Sequence, residues 1–404
     1  MQTVDEETIM EAIEKVKKYI GMGIWCVLEC LSKGFLGNLF RGVFRLGLME
    51  NMEKRKRDHI RICIKKDVEF KKKTTWFEYV ELIHNPLPEV DFNEIKLEAS
   101  FLGRTFNYPL VIEGMTGGVP EAYRINKNLA EAALQLNIPL GVGSQRAGIL
   151  NESLKETYRI VRDTSSSIFV IGNIGAVQLM KEGVELAEKA VEMIEANALA
   201  IHINSLQELI QPGGATTFRG IIKSIEKTVN RLSVPVIVKE VGCGISRESA
   251  KSLEEIGVKV IDVAGAGGTN WTLIEKIRAE EAGDLEKKML GEVFLEWGIP
   301  TAASIIEVSS TVRIEVIGSG GIRTGLDAAK ALVLGADMVG IAKPLLKPAV
   351  ESVESILSYL RKIILELRTA MYLTGCRNII ELKKVNKVLT GPLIEWCRQR
   401  NLSI

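Results

Sequence analysis

Eight consecutive residues, His202-Ile203-Asn204-Ser205-Leu206-Gln207-Glu208-Leu209, place an imidazole, two amides and a carboxylate directly behind the apolar run Ala198-Leu199-Ala200-Ile201. A carboxylate can ligate a hard cation, amides can orient an oxygen-rich substrate, and an imidazole can organise a hydrogen-bond network around them. Ser205 or Asn204 alone would read as loop polarity or a helix cap. The cluster carries more weight, because glycine-rich stretches elsewhere repeat the placement behind other short apolar runs.

Those stretches are Gly114-Met115-Thr116-Gly117-Gly118, Gly265-Ala266-Gly267-Gly268-Thr269-Asn270-Trp271 and Gly318-Ser319-Gly320-Gly321-Ile322-Arg323. Glycine lets backbone approach a flat ring or an anion with no Cβ in the way. Polar residues close other runs: Ser144-Gln145-Arg146, Asn173, Lys239-Glu240 and Ala342-Lys343. A lysine leaving an apolar strand commonly pairs with an acid, but at a barrel mouth it can hold an electron-rich ring. Thr269 can donate to a phosphate, and Trp271 suits either core or substrate wall.

The elements that must position these groups follow from pattern. Eight runs rich in β-branched residues occur in sequence: 109–113, 138–142, 168–172, 198–203, 235–239, 258–263, 313–317 and 337–341. Stretches of helical period, such as Ala187–Ile194 and Ile221–Leu232, lie between most of them. Eight alternations predict an α/β fold, a closed parallel (β/α)8 TIM barrel; an open doubly wound sheet is the alternative. Active sites of such barrels lie at the carboxyl ends of the strands, and backbone N–H groups after strands seven and eight form the usual phosphate site. The turns Asn85-Pro86 and Leu87-Pro88 sit in a β-rich preface that closes one end. Residues 271–312 form an insertion that could lid the mouth or build a subunit contact, and Val353–Leu367 reads as the closing helix. The domain reading is an N-terminal extension (1–52), an arm and preface (53–108), a catalytic barrel (109–375) and a C-terminal tail (376–404).

Lys plus Arg (52) balance Asp plus Glu (51) across 404 residues, so no global field points to nucleic acid or membrane, and anion recognition must be local. Six cysteines lack metal or disulfide spacing and read as reduced thiols. In the extension, Ile20 to Leu28 is too short an apolar run to span a bilayer. Trp25, Phe35, Phe40 and Phe44 could form an interfacial face; the preferred reading is a start at Met49 or Met52. The basic cluster Lys54-Arg55-Lys56-Arg57-Asp58-His59 is usually a solvated face, but here it is a candidate arm over a diphosphate.

Taken together, Arg55-Lys56 with His59, GMTGG at 114–118, SQR at 144–146, HINSLQE at 202–208, KEVG at 239–242, GAGGTNW at 265–271 and SGGIR at 319–323 resemble type 2 isopentenyl diphosphate isomerase over residues 53–375. The resemblance implies a cytosolic homo-oligomeric TIM barrel that binds FMN, takes NAD(P)H as flavin reductant, requires Mg²⁺ and interconverts isopentenyl and dimethylallyl diphosphate. It implies a flavin site of Gly114, Met115, Thr116, Ser144, Asn173, Lys239, Ala264, Thr269, Gly321, Ile322, Arg323, Ala342 and Lys343. Substrate contacts would be Arg55, Lys56, His59, Ser144, Gln145, Arg146 and Gln207, with Glu208 the Mg²⁺ ligand. Gln207 would orient or relay, and His202 and Asn204 would organise the diphosphate side. Glu113 and Ala264 depart from the pattern, standing where a small hydroxyl residue and Ser are common, so each removes a hydrogen bond to flavin. The rival within enzymes is an FMN-dependent 2-hydroxy-acid oxidase or dehydrogenase, which wants a histidine base near the late strands. Only His59, His84 and His202 are present, none later. A non-catalytic flavin- or diphosphate-binding barrel is the other rival.

Overall fold

The computed structural model describes residues 51–402. Met1–Arg55 and Lys56–Ile404 form separate units, and the expectations for residues 1–50, including the interfacial face and the Met49 start, lie outside the described residues. Arg55 belongs to the first unit, so its expected substrate contact is not described with the barrel.

All eight expected runs become strands: β1 Leu110–Ile112, β2 Leu140–Gly141, β3 Val170–Gly175, β4 Ala198–His202, β5 Val236–Lys239, β6 Val260–Asp262, β7 Glu315–Ser319 and β8 Met338–Ile341. They close into one parallel barrel in chain order, β8 pairing with β1 through Val339↔Leu110 and Ile341↔Ile112. The alternation of side chains along a strand sorts each run into two sets. Leu110, Ile112, Leu199, Ile201, Val236, Val238 and Ile261 join the large core shared with the surrounding helices. Val111, Ile171, Ala198, Ala200, Ile237, Val260, Ile317 and Met338 form a second cluster that fills the bore.

The foot of the bore is plugged from outside the barrel. The hairpin Ala99–Phe101/Arg104–Phe106 brings Phe101 and Phe106 against Phe169, with ring centroids at 6.2 and 5.5 Å in edge-on geometry. This is the closure expected of the preface. Phe101 is fully buried, so Phe101→Ala is expected to lower unfolding stability by about 3–5 kcal/mol, read as a lower urea midpoint.

β3 runs to Gly175 rather than stopping at 172, because five residues pair with β4, from Ile171↔Ala198 to Gly175↔His202. Gly172 and Gly175 do not break this strand, since both are paired with β4 in the ladder. Residues 376–402 are stitched into the body rather than trailing from it. Lys387–Leu389 pairs antiparallel with Val80–Leu82, and the helix Gly391–Gln399 buries Leu393 and Cys397 while Trp396 donates to Glu307 at 2.9 Å. The insertion folds into helices Trp271–Glu281, Leu285–Val293 and Thr301–Ser309. Among the described residues no helix is long and apolar enough to cross a membrane.

Candidate active site

Continuing the inward parity upward makes the bore polar at its carboxyl end. Glu113, Asn173, Lys239 and Asp262 line a cavity there, above the apolar layer of Ile171, Ala200, Ile237 and Ile317. Asn173 accepts from or donates to its neighbours at every polar atom named so far: Oδ1 lies 2.8 Å from His202 Nδ1, and its backbone N–H donates to Gln145 Oε1 at 2.8 Å. Gln145 is fully buried and its amide also donates to the Ala190 carbonyl at 2.8 Å. That side chain is a strut holding Asn173, not a group presented to the mouth.

The polar end of β4 continues into the helix Ser205–Ile210. Asn204 Nδ2 donates to Gln207 Oε1 at 3.1 Å, and Gln207 Nε2 donates to Glu275 Oε1 at 3.2 Å. Asn204 Oδ1 is buried with no partner, leaving an acceptor for a ligand beside Gln207. Glu275 is the functional residue that the motif reading missed. Its oxygens also meet His59 Nε2 at 2.7 Å and Arg278 Nη1 at 2.6 Å. Burial raises the Glu275 carboxyl, yet His59 and Arg278 together hold it at about 2. His59 packs edge-on against Trp271 at 5.0 Å, so the tryptophan supports the histidine.

Lys56 reaches the loops after β1 and β2. Its ammonium donates to the carbonyls of Gly117 and Ser144 at 2.7 and 2.9 Å and to the Tyr158 hydroxyl at 3.0 Å. The flat ring that Gly117 and Gly118 accommodate is that of Tyr158: a Cβ on Gly117 would overlap it, and one on Gly118 would lie 2.7 Å from its oxygen. Thr116 turns its hydroxyl to Asn126 Oδ1 at 2.7 Å, and Met115 packs on the core, so the two face the scaffold. Arg146 Nε lies 2.6 Å from Glu182 Oε1, outside hydrogen-bonding alignment.

The loops after β7 and β8 have their charges matched by a residue from the arm. Arg323 Nη2 and Lys343 Nζ each lie 2.6 Å from an oxygen of Glu69. Glu69 is bridged to Thr269, and the neighbouring amide of Phe70 donates to Gly268 at 2.9 Å, so the strand-like arm lies along the glycine loop after β6. The helix N-terminus behind β7 is already capped: Asp327 accepts from Arg323 and Thr324 N–H at 3.1 and 2.9 Å, and Glu366 accepts from Gly325 N–H at 2.7 Å. What these loops offer an anion is therefore the two cations shared with Glu69; Gly321, at φ 77°, is packed against Thr75 and Gly268, a Cβ there lying 2.2 Å from the Thr75 methyl. Ile322 is core, so only its backbone can face a ligand. Ala342, between β8 and Lys343, sits at φ −112°, ψ −101°. Ala264 holds φ 35° and its N–H donates to Asp262 Oδ1 at 3.3 Å. Lys239 donates to the Glu240 carbonyl at 2.9 Å, while the Glu240 carboxylate accepts from the amides of Val241, Gly242 and Cys243 and so fixes the loop beyond.

Glu208 is buried next to Gln207 and accepts from Ala215 N–H at 2.8 Å. Among the described residues no three His, Cys, Asp or Glu side chains gather as a metal cage. A lone carboxylate fits a cation that takes its other oxygens from a phosphate ligand, as Mg²⁺ does.

Comparison with known proteins follows the same lines. A family model for FMN-dependent dehydrogenases matches residues 214–387. Isopentenyl-diphosphate delta-isomerase of Methanothermobacter thermautotrophicus is 48% identical over 346 residues, covering 86% of this chain and 96% of that protein. The enzyme of the same name from Halobacterium salinarum is 47% identical over 87% of this chain and 97% of its own, and that of Thermococcus kodakarensis 48% over 86% and 94%. Among solved structures, a lactate oxidase of Pediococcus acidilactici superposes with a TM-score of 0.61 at 16% identity, covering 85% of this chain and 94% of that one. A mandelate oxidase gives 0.55 at 19%, over 78% and 90%. At such identities these oxidases speak for the barrel alone.

Proposed function

The chain belongs to the isopentenyl-diphosphate delta-isomerase family, and from that premise we propose how its barrel mouth divides the work of the isomerase. The reaction converts isopentenyl to dimethylallyl diphosphate, and back, by protonation at the terminal methylene and loss of a proton from C2. FMN fits the residues present: the Lys239 ammonium borders the cavity, and Arg323 and Lys343 carry the charge a phosphate needs. When bound and reduced by NAD(P)H, the flavin would supply an electron-rich ring and an exchangeable proton. Asn173, Lys239, Thr269, Gly321 to Arg323 and Ala342-Lys343 would hold it.

The chain's own residues do the rest. Lys56 and Arg146 place positive charge for the diphosphate, and Glu208 would hold Mg²⁺ against it. His59 and Arg278 keep Glu275 ionised, and Glu275 with Asn204 fixes both ends of the Gln207 amide. An amide is neither acid nor base at neutral pH, so Gln207 orients the five-carbon chain and passes a hydrogen bond. The observation that carries this reading is the amide of Gln207, locked between Asn204 and Glu275 beside the partnerless Asn204 Oδ1. The family reading extends to a homo-oligomer in the cytoplasm.

Purified protein is expected to be yellow and to isomerise the substrate only with FMN, Mg²⁺ and a reductant such as dithionite all present. Omitting each in turn from an anaerobic assay tests this. Full turnover without Mg²⁺ or without reductant would remove the corresponding assignment. Oxygen uptake with lactate or mandelate would favour the oxidase reading, and none is expected.

A further inference from the structure

The polar layer at the top of the bore holds more acid than the mechanism uses. Asp262 at the end of β6 receives the Ser319 hydroxyl at 2.5 Å and the Ala264 amide at 3.3 Å. Glu113, just beyond β1, lines the same cavity, its carboxyl within hydrogen-bonding reach of Asp262, and is 9% exposed. Its Oε1 is buried with no hydrogen-bond partner. Space for it comes from β8, where a Cβ on Gly340 would lie 2.5 Å from that oxygen. The other groups around the cavity are Lys239 from β5 and Asn173 from β3, the latter tied to His202 of β4; β2 contributes only Gly141 and Val142. The layer thus holds two carboxyls against one ammonium. Asp262 receives a hydroxyl and an amide donor and Glu113 only the Gly114 amide, so if one proton is present it resides on Glu113 and points at Asp262.

We propose that Glu113 is a neutral carboxylic acid at physiological pH, donating to Asp262, so that the pair carries one negative charge and serves as the matched counter-ion of Lys239. Burial first, and the neighbouring Asp262 charge second, push the Glu113 carboxyl well above its ordinary range, which agrees with this geometry. Two buried carboxylates this close do not both ionise. Glu113 is then a positioning residue. As a neutral acid it leaves the layer electrically balanced and Lys239 free to face the cavity. As an anion it would put a second negative charge into the cavity that Lys239 borders. The consequence for the flavin rests on the reading of the cavity given above; the charge state does not.

Both tests use the cofactor-free full-length protein, so they stand whether or not a flavin occupies the cavity. The first is the infrared carbonyl band of a protonated carboxylic acid at pH 7–8, expected in the wild type and absent in Glu113→Gln. The second is melting temperature against pH. A carboxyl whose folded value is raised contributes stability below its unfolded value, about 4.3, and loses it as pH rises toward the folded value. The wild type is therefore expected to lose ground to Glu113→Gln steadily from pH 5 to 8, since glutamine keeps the donor and cannot ionise. Glu113→Ala, which leaves Asp262 without that donor, should lie below Glu113→Gln throughout. Absence of the band in the wild type, or parallel pH profiles for wild type and Glu113→Gln, would overturn the proposal. Failure of the cofactor-free protein to take up FMN on titration, with the band intact, would instead overturn the flavin reading.

Discussion

Gln207→Ala and Glu275→Gln are each expected to lower isomerase turnover by about 10²-fold, the scale on which misplacing a positioned group costs rate. The double variant should be no slower than the worse single one, because residues acting as one unit are not additive. The reason is in the hydrogen bonds: Gln207 has its amide oxygen held by Asn204 and its nitrogen by Glu275, so removing either partner frees the same rotor. Glu275→Gln carries a second effect, on stability. Its carboxylate lies between His59 and Arg278, and the latter is mostly buried. The folded value near 2 is below the unfolded one, about 4.3. Its contribution is therefore complete above the unfolded value and disappears as pH falls toward 2. Melting curves should show Glu275→Gln unfolding earlier than wild type at pH 7, with the gap narrowing in acid. Steady-state kinetics on folded protein separate the two effects. A multiplicative loss in the double variant would mean that Gln207 and Glu275 act independently, and the positioning argument would fail.

The barrel was legible because buried parallel strands write themselves as short apolar runs, and its eight ends named most of the residues now found around the mouth. Glu275 was not, since it comes from the helix Trp271–Glu281, 68 positions beyond Gln207. A signal did exist: Glu275 and Arg278 stand on the face of that helix that also buries Ile274, where apolar residues belong. Charged residues on a helix's inward face are paired or functional, and these are paired with each other and with His59. Polarity at a strand end was an unreliable guide in the other direction. Gln145 is as polar as Gln207 but lies entirely inside, bonded to the backbone of Asn173 and Ala190. Nothing in one-dimensional pattern distinguishes a strut from a contact; that depends on which side of the loop the side chain leaves. Glu69 was silent for the same reason, because its partners Arg323 and Lys343 lie more than 250 residues away.

Gly114→Ala is expected to cost the protein its colour. The residue is outside the left-handed region, so alanine is acceptable to its backbone and the whole effect must come from contact. A Cβ there would overlap the Val142 carbonyl oxygen and lie 2.9 Å from Asn173 Nδ2, and neither can retreat easily. The Val142 amide is bonded to Ile171, and Asn173 is held through its other amide atom by His202 and through its backbone by Gln145. Gly141 makes the reciprocal approach, its own missing Cβ lying 2.8 Å from the Gly114 nitrogen, so β1 and β2 meet glycine to glycine with no slack. Crowding of this kind costs about 1–3 kcal/mol. If the mouth relieves it by shifting Asn173 and His202, the flavin loses about ten- to a hundredfold in affinity. Titration of apo-protein with FMN, followed by quenching of flavin fluorescence, measures that loss directly. Gly283→Ala is the control: its φ is 73° but nothing lies within 4 Å of the added carbon, so it should bend stability slightly and leave flavin affinity alone. Wild-type affinity in Gly114→Ala would mean that the end of β1 does not border the flavin, and Asn173 would leave the set of residues proposed to hold it.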